Sequence, residues 1–115
     1  AYNANPSSMA VAIANFVQLE NKGKIMILGD MFELGDESQK EHKIIVDSLT
    51  GQNECLSYLI GKSFYEHKVL SDTIKFFESF DSFADYLKTI QFRNNTILIK
   101  GSRGMALERT LEYIL

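Results

Sequence analysis

The sequence is short of the features that mark a specialised environment. Cys55 is the single cysteine among 115 residues, so no internal disulfide can form, which suits a reducing compartment such as the cytoplasm. Pro6 is the single proline, so nothing after the first few positions breaks a helix by that route. Tryptophan is absent, and His42 and His67 are the only histidines. Neither has a second His or Cys at metal-ligand spacing, so no metal site is expected and a structural role is assigned to both. No apolar run approaches the roughly 20 residues that span a bilayer. The first residues, Ala1-Tyr2-Asn3-Ala4-Asn5-Pro6, lack the basic and apolar regions of a signal peptide. A net charge of -3 supplies no positive excess for nucleic acid or a membrane surface, and neither is expected as a partner.

What is present is ordinary for one globular domain over residues 1–115: 45% hydrophobic and 23% charged. The start at Ala1 without methionine suggests a piece of a longer polypeptide or a processed terminus. Helix and strand signals alternate with short gaps. Ser7 and Ser8 are placed to cap a helix running to about Asn21, with Met9, Ile13 and Phe16 on one face. Lys24-Ile25-Met26-Ile27-Leu28-Gly29 has the unbroken apolar character of a strand buried on both faces. Asp36 and Gln39 are spaced like a capping box for a second helix presenting Ile45, Val46 and Leu49 inward. Leu56 to Ile60 is a second strand, Ser63 to His67 a short helix, and Ile74 to Phe77 a third strand. Asp81 is the expected cap of a helix bearing Phe83, Leu87 and Ile90; Thr96 to Ile99 is the fourth strand. One last helix is expected from about Met105, with Leu107, Leu111 and Ile114 on one side. This alternation predicts an α/β fold, a three-layer doubly wound, mostly parallel sheet with helices on both faces. Ligands in such sheets gather beyond the carboxyl ends of the strands, at Gly29-Asp30, Gly61-Lys62-Ser63 and Lys100-Gly101-Ser102-Arg103.

Three segments carry chemistry. Tyr2-Asn3-Ala4-Asn5-Pro6-Ser7-Ser8-Met9 places amides and hydroxyls before a helix start; it suits a purine or ribose edge, or simply caps its own helix. Leu28-Gly29-Asp30-Met31-Phe32-Glu33-Leu34-Gly35 sets Asp30 and Glu33 past a strand, to hold an ammonium group or to face water and the next helix. Leu98-Ile99-Lys100-Gly101-Ser102-Arg103-Gly104-Met105 joins two glycines, a hydroxyl and two cations, fit for a carboxylate or phosphate or for an ordinary helix entry. It is neither the phosphate-loop spacing nor the dinucleotide fingerprint. Cys55 lacks a base partner and is read as packed.

Taken together and in this order, the three segments resemble the C-terminal domain of the Mur ligase family, over essentially the whole chain. Within the family they resemble the members that add D-alanyl-D-alanine. Ligases adding L-Ala, D-Glu or a diamino acid carry other residues at the Asn-Ala-Asn-Pro and Lys-Gly-Ser-Arg positions. The resemblance implies a three-domain cytoplasmic enzyme using ATP and Mg2+, both bound mainly by a central domain. ATP phosphorylates the terminal carboxylate of UDP-MurNAc-tripeptide, and the amine of D-Ala-D-Ala attacks the acyl phosphate, releasing ADP and phosphate. By position, Asn3 and Asn5 are implied on the ATP side, and Lys100, Ser102 and Arg103 at the dipeptide carboxylate. Asp30 and Glu33 are implied to orient the amine or brace the loop, and none of these residues is the main base. One departure stands out: the acidic residues usual just before this start, with their strand, are missing, as are the phosphate loop and magnesium ligands. The chain alone is therefore expected to be inactive, with an open sheet edge.

Two other classes fit the composition. A stand-alone receiver-like domain would use Asp30 as its acidic residue and Lys100 as its late lysine, yet it needs an acidic pair that is not visible. An interaction module would expose an apolar patch and bind no small ligand.

Overall fold

The computed structural model describes residues 4–114. At its centre is the apolar run β1 (Lys24–Gly29), all six residues of which are buried. With β2 (Cys55–Ile60), β3 (Ile74–Phe77) and β4 (Thr96–Lys100) it forms a parallel sheet of order β3-β2-β1-β4. Alternation along β1 divides the core in two. Met26 and Leu28 pack with Met9, Ile13 and Phe16 of α1 (Pro6–Val17) and with Ile45, Val46 and Leu49 of α2 (Ser38–Thr50). On the opposite face Ile25 and Ile27 meet Tyr58, Leu107, and Phe83 and Leu87 of α4 (Phe80–Leu87). Each such side chain contributes about 1.5–3 kcal/mol by leaving water, and the two clusters explain why β1 tolerates no polar residue in its middle. The three-layer α/β expectation holds. β4 is half-buried throughout and pairs only with β1; among the described residues its outer edge carries no strand.

Helix ends differ from the sequence reading. Asn5, not Ser7 or Ser8, caps α1: its side-chain oxygen accepts the Ser8 N–H at 2.9 Å, and Ser8 Oγ accepts the Asn5 N–H in return. The helix stops at Val17, short of Asn21, because Lys24 closes it. Its buried ammonium donates to the Val17 and Leu19 carbonyls at 2.5 and 2.6 Å. No side chain caps α2, which continues instead from a 3₁₀ turn at Gly35–Glu37. Ser79, not Asp81, caps α4, and Ile90 lies beyond its end. The short α3 spans Lys62–Tyr65. The expected last helix is broken into 3₁₀ turns at Arg103–Met105 and Leu107–Thr110, followed by α5 (Leu111–Ile114). Ala106 is the break, with a left-handed φ of 50° that no continuous helix accepts.

Burial also governs acidity in this core. It pushes the Cys55 thiol above its ordinary value, against a smaller opposing effect of Lys24. Burial, aided by the Tyr86 hydroxyl, pushes the Tyr58 phenol up more strongly. No helix among the described residues is long and apolar enough to cross a membrane.

Candidate functional site

Strand order reverses between β1 and β4, because the chain leaves β1 towards β2 and β3 on one side and returns to β4 on the other. The crevice beyond their carboxyl ends is where a doubly wound sheet presents ligands. Two glycines let those ends touch. A Cβ on Gly101 would lie 3.0 Å from the Gly29 Cα, so a side chain there would push the loops apart.

Ser102 ties the expected segments together. Its N–H donates to the Asp30 carbonyl at 3.1 Å, and its Oγ accepts the Phe32 N–H at 2.7 Å. The same hydroxyl donates to the Ala4 carbonyl at 3.5 Å. One buried side chain thus joins the segment before α1, the loop after β1 and the loop after β4. Phe32 lies across Gly104, where a Cβ would come within 2.7 Å of the ring.

Asp30 is buried, and both carboxylate oxygens are engaged by α3: the Ser63 N–H at 2.9 Å and the Phe64 N–H at 3.0 Å. Gly61 makes this possible. Its φ of 129° turns the chain under the carboxylate, and any Cβ there would collide with it. Asp30 therefore braces β1 against β2 and α3, and it does not form the exposed acidic pair that a receiver-like domain needs. Glu33, by contrast, is exposed and left-handed with φ 63°.

Lys100 is half-buried and Arg103 exposed; with Ser102, Leu107 and Glu108 they line an open cavity of about 630 Å³. Lys100, Arg103 and the Glu108 carboxylate thus line the same cavity. Asn5 is exposed with its side-chain oxygen committed to the helix cap. Asn3 lies outside the described residues. Among those residues no group of three His, Cys, Asp or Glu side chains is arranged to hold a metal ion. The sequence reading named Gly61 and Gly104 and gave His42 a structural role, but not their partners: Asp30 under Gly61, Phe32 over Gly104, and Met31 and Ser38 at His42.

This doubly wound fold is shared with known ligases. Residues 1–103 match the family described as "Mur ligase, glutamate ligase domain", and the chain belongs to that family. More particularly, it is similar to proteins named UDP-N-acetylmuramoyl-tripeptide--D-alanyl-D-alanine ligase. That of Rickettsia prowazekii is 33% identical over 97% of this chain and 26% of its own length. That of Bacillus subtilis is 31% identical over 100% of this chain and 27% of its own length. Among solved structures, MurF from Acinetobacter baumannii superposes with TM-score 0.77 at 29% identity, over 96% of this chain and 25% of that one. MurF ligase from Thermotoga maritima, solved in complex with ADP, gives TM-score 0.74 at 26% identity, over 97% of this chain and 26% of that one. The chain spans about a quarter of the length of these relatives.

Proposed function

We propose that the chain acts as the C-terminal domain of an ATP-dependent ligase that joins D-Ala-D-Ala to UDP-MurNAc-tripeptide in the cytoplasm. It closes over nucleotide held by a preceding domain and presents the dipeptide. The observation that carries this reading is the meeting, at Ser102, of the three segments by which the chain resembles the D-Ala-D-Ala-adding ligases. In the reaction, the γ-phosphoryl group of ATP moves to the tripeptide carboxylate and ADP leaves. The dipeptide amine then attacks the acyl carbon, loses its proton, and phosphate departs. This domain contributes positioning, charge neutralisation and exclusion of water.

Lys100 and Arg103 face the dipeptide carboxylate from the cavity rim, with Ser102 fixing the loop that carries them. Glu33 receives the ammonium end, and Asp30 braces its loop. Asn5 faces the nucleotide through groups the helix cap leaves over, and the resemblance assigns Asn3 to the same role. Mg2+ would supply charge neutralisation at the phosphates, and the resemblance assigns it to the central domain.

The test is ATP-dependent phosphate release by the parent ligase with UDP-MurNAc-tripeptide present and D-Ala-D-Ala, D-Glu, L-Ala or diaminopimelate offered separately. Release with D-Ala-D-Ala alone is expected; release with another amino acid would overturn the substrate. Lys100→Ala and Arg103→Ala should each raise the dipeptide KM by about tenfold or more, the value of one charge-assisted hydrogen bond. Equal losses for UDP-tripeptide would reject the assignment.

A further inference from the structure

We infer that His42 is a positioning residue for the loop after β1, locked as the neutral Nδ1–H tautomer. The side chain is wholly buried on α2, and two partners of fixed chemistry hold its ring. Nδ1 lies 2.7 Å from the Ser38 carbonyl, which can only accept, so Nδ1 carries the hydrogen. Nε2 lies 3.0 Å from the Met31 amide nitrogen, which can only donate, so Nε2 presents a lone pair. Asp30 Oδ1 is 3.9 Å from Nε2, but in this tautomer both atoms are acceptors and no ion pair forms. The ring edge also meets Phe64 of α3 at 4.7 Å and 81°.

The consequence lies in the order of the loop's amides. Asp30 N–H goes to the Ile60 carbonyl, Met31 N–H to His42 and Phe32 N–H to Ser102. Three successive amides are thus held by three different elements, β2, α2 and the loop after β4. The next residue, Glu33, takes a left-handed φ of 63° that a side-chain-bearing residue disfavours. Such a conformation persists where its surroundings over-determine it, and His42 supplies the middle restraint. His42 therefore sets where the exposed Glu33 and the half-exposed Phe32 ring stand in the loop that follows β1.

This inference rests on the proposed function only for its kinetic arm. Nitrogen-15 NMR of histidine-labelled protein should show His42 protonated at Nδ1 and bare at Nε2 at neutral pH. His42→Phe, which keeps the ring contact and removes the acceptor, should shift the Phe32 and Glu33 amides. An Nε2–H tautomer, an imidazolium, or unmoved amides would overturn the inference whatever the enzyme's substrate. In the parent ligase, His42→Phe should raise the D-Ala-D-Ala KM about tenfold or more, as misplacement of a positioning group does, with the ATP and UDP-tripeptide KM unchanged. His42→Gln, whose amide oxygen reaches the Met31 N–H, should restore most of the loss. His42→Asn, too short to reach, covers the case where the Phe variant does not fold, and should raise the D-Ala-D-Ala KM by a similar factor. Equal damage from Gln and Asn, or a uniform loss for all substrates, would reject the positioning role. A parent ligase that ignores D-Ala-D-Ala would remove the functional reading and leave the NMR result to decide this one.

Discussion

Replacing Asp30 by Ala removes one acceptor that serves two amides, Ser63 N–H at 2.9 Å and Phe64 N–H at 3.0 Å. Phe64 is fully buried, so its amide is left without a partner, whereas the half-buried Ser63 can turn to water. Hydrogen bonds to a charged group are worth about 1.5–3 kcal/mol, so one counted in full and one in half gives a loss of roughly 2–4.5 kcal/mol. Against a typical stability of about 5–15 kcal/mol that is a large share. Asp30→Asn keeps one oxygen but turns an amide N–H towards a second donor, and should lose about half as much. Urea unfolding at pH 7, with the slope checked for constancy, reads both values. Gly61→Ala belongs in the same series, since its Cβ would drive the carboxylate off α3. A loss below about 1 kcal/mol for Asp30→Ala, smaller than a single such bond, would refute the bracing role. So would Asp30→Asn proving as harmful as Asp30→Ala.

Lys24→Met should destabilise the chain by about 1–3 kcal/mol, because the carbonyls of Val17 at the end of α1 and of Leu19 just beyond it lose their buried donor; a neutral outcome in the same urea assay would show that water replaces it. The alkaline limb of stability should be steep. Cys55 and Tyr58 hold their protons more tightly folded than unfolded, so their contribution is complete below their ordinary values of 9.0 and 10.0 and is lost as pH climbs from there through their raised folded values. Tyr58→Phe should flatten the part of that fall that lies above about pH 10, and an unchanged slope there would contradict it.

The sheet was legible because each strand is a short, mostly apolar stretch ended by Gly or a charge, and β1 needs apolar residues on both sides. Helix positions followed from spacing, but their caps did not. Asn5, Ser7 and Ser8 all have capping chemistry, and only the backbone decides that Asn5 is extended while Ser8 is already helical. Ala106 gave no warning of a break, because alanine is the best helix former and its left-handed turn is imposed from outside. At the site, the sequence located the right loops and overstated how free their side chains are. Asp30 and Ser102 look like reactive groups when read locally. Their partners, Phe64 and Phe32, lie 34 and 70 positions away, a distance that pattern cannot bridge.

Those separations carry a kinetic meaning. Ser102 closes contacts with Phe32 across 70 positions and with Ala4 across 98, nearly the span of the chain. Bringing such distant segments together is costly in chain entropy until most of the sheet exists. A nascent chain can therefore pack β1, β2 and α2 while the crevice has no floor. The crevice is completed only when the stretch around Ser102 arrives, so its integrity reports the last step of assembly. A hydrogen-exchange pulse during refolding should find the Phe32 amide protected after those in the middle of β1.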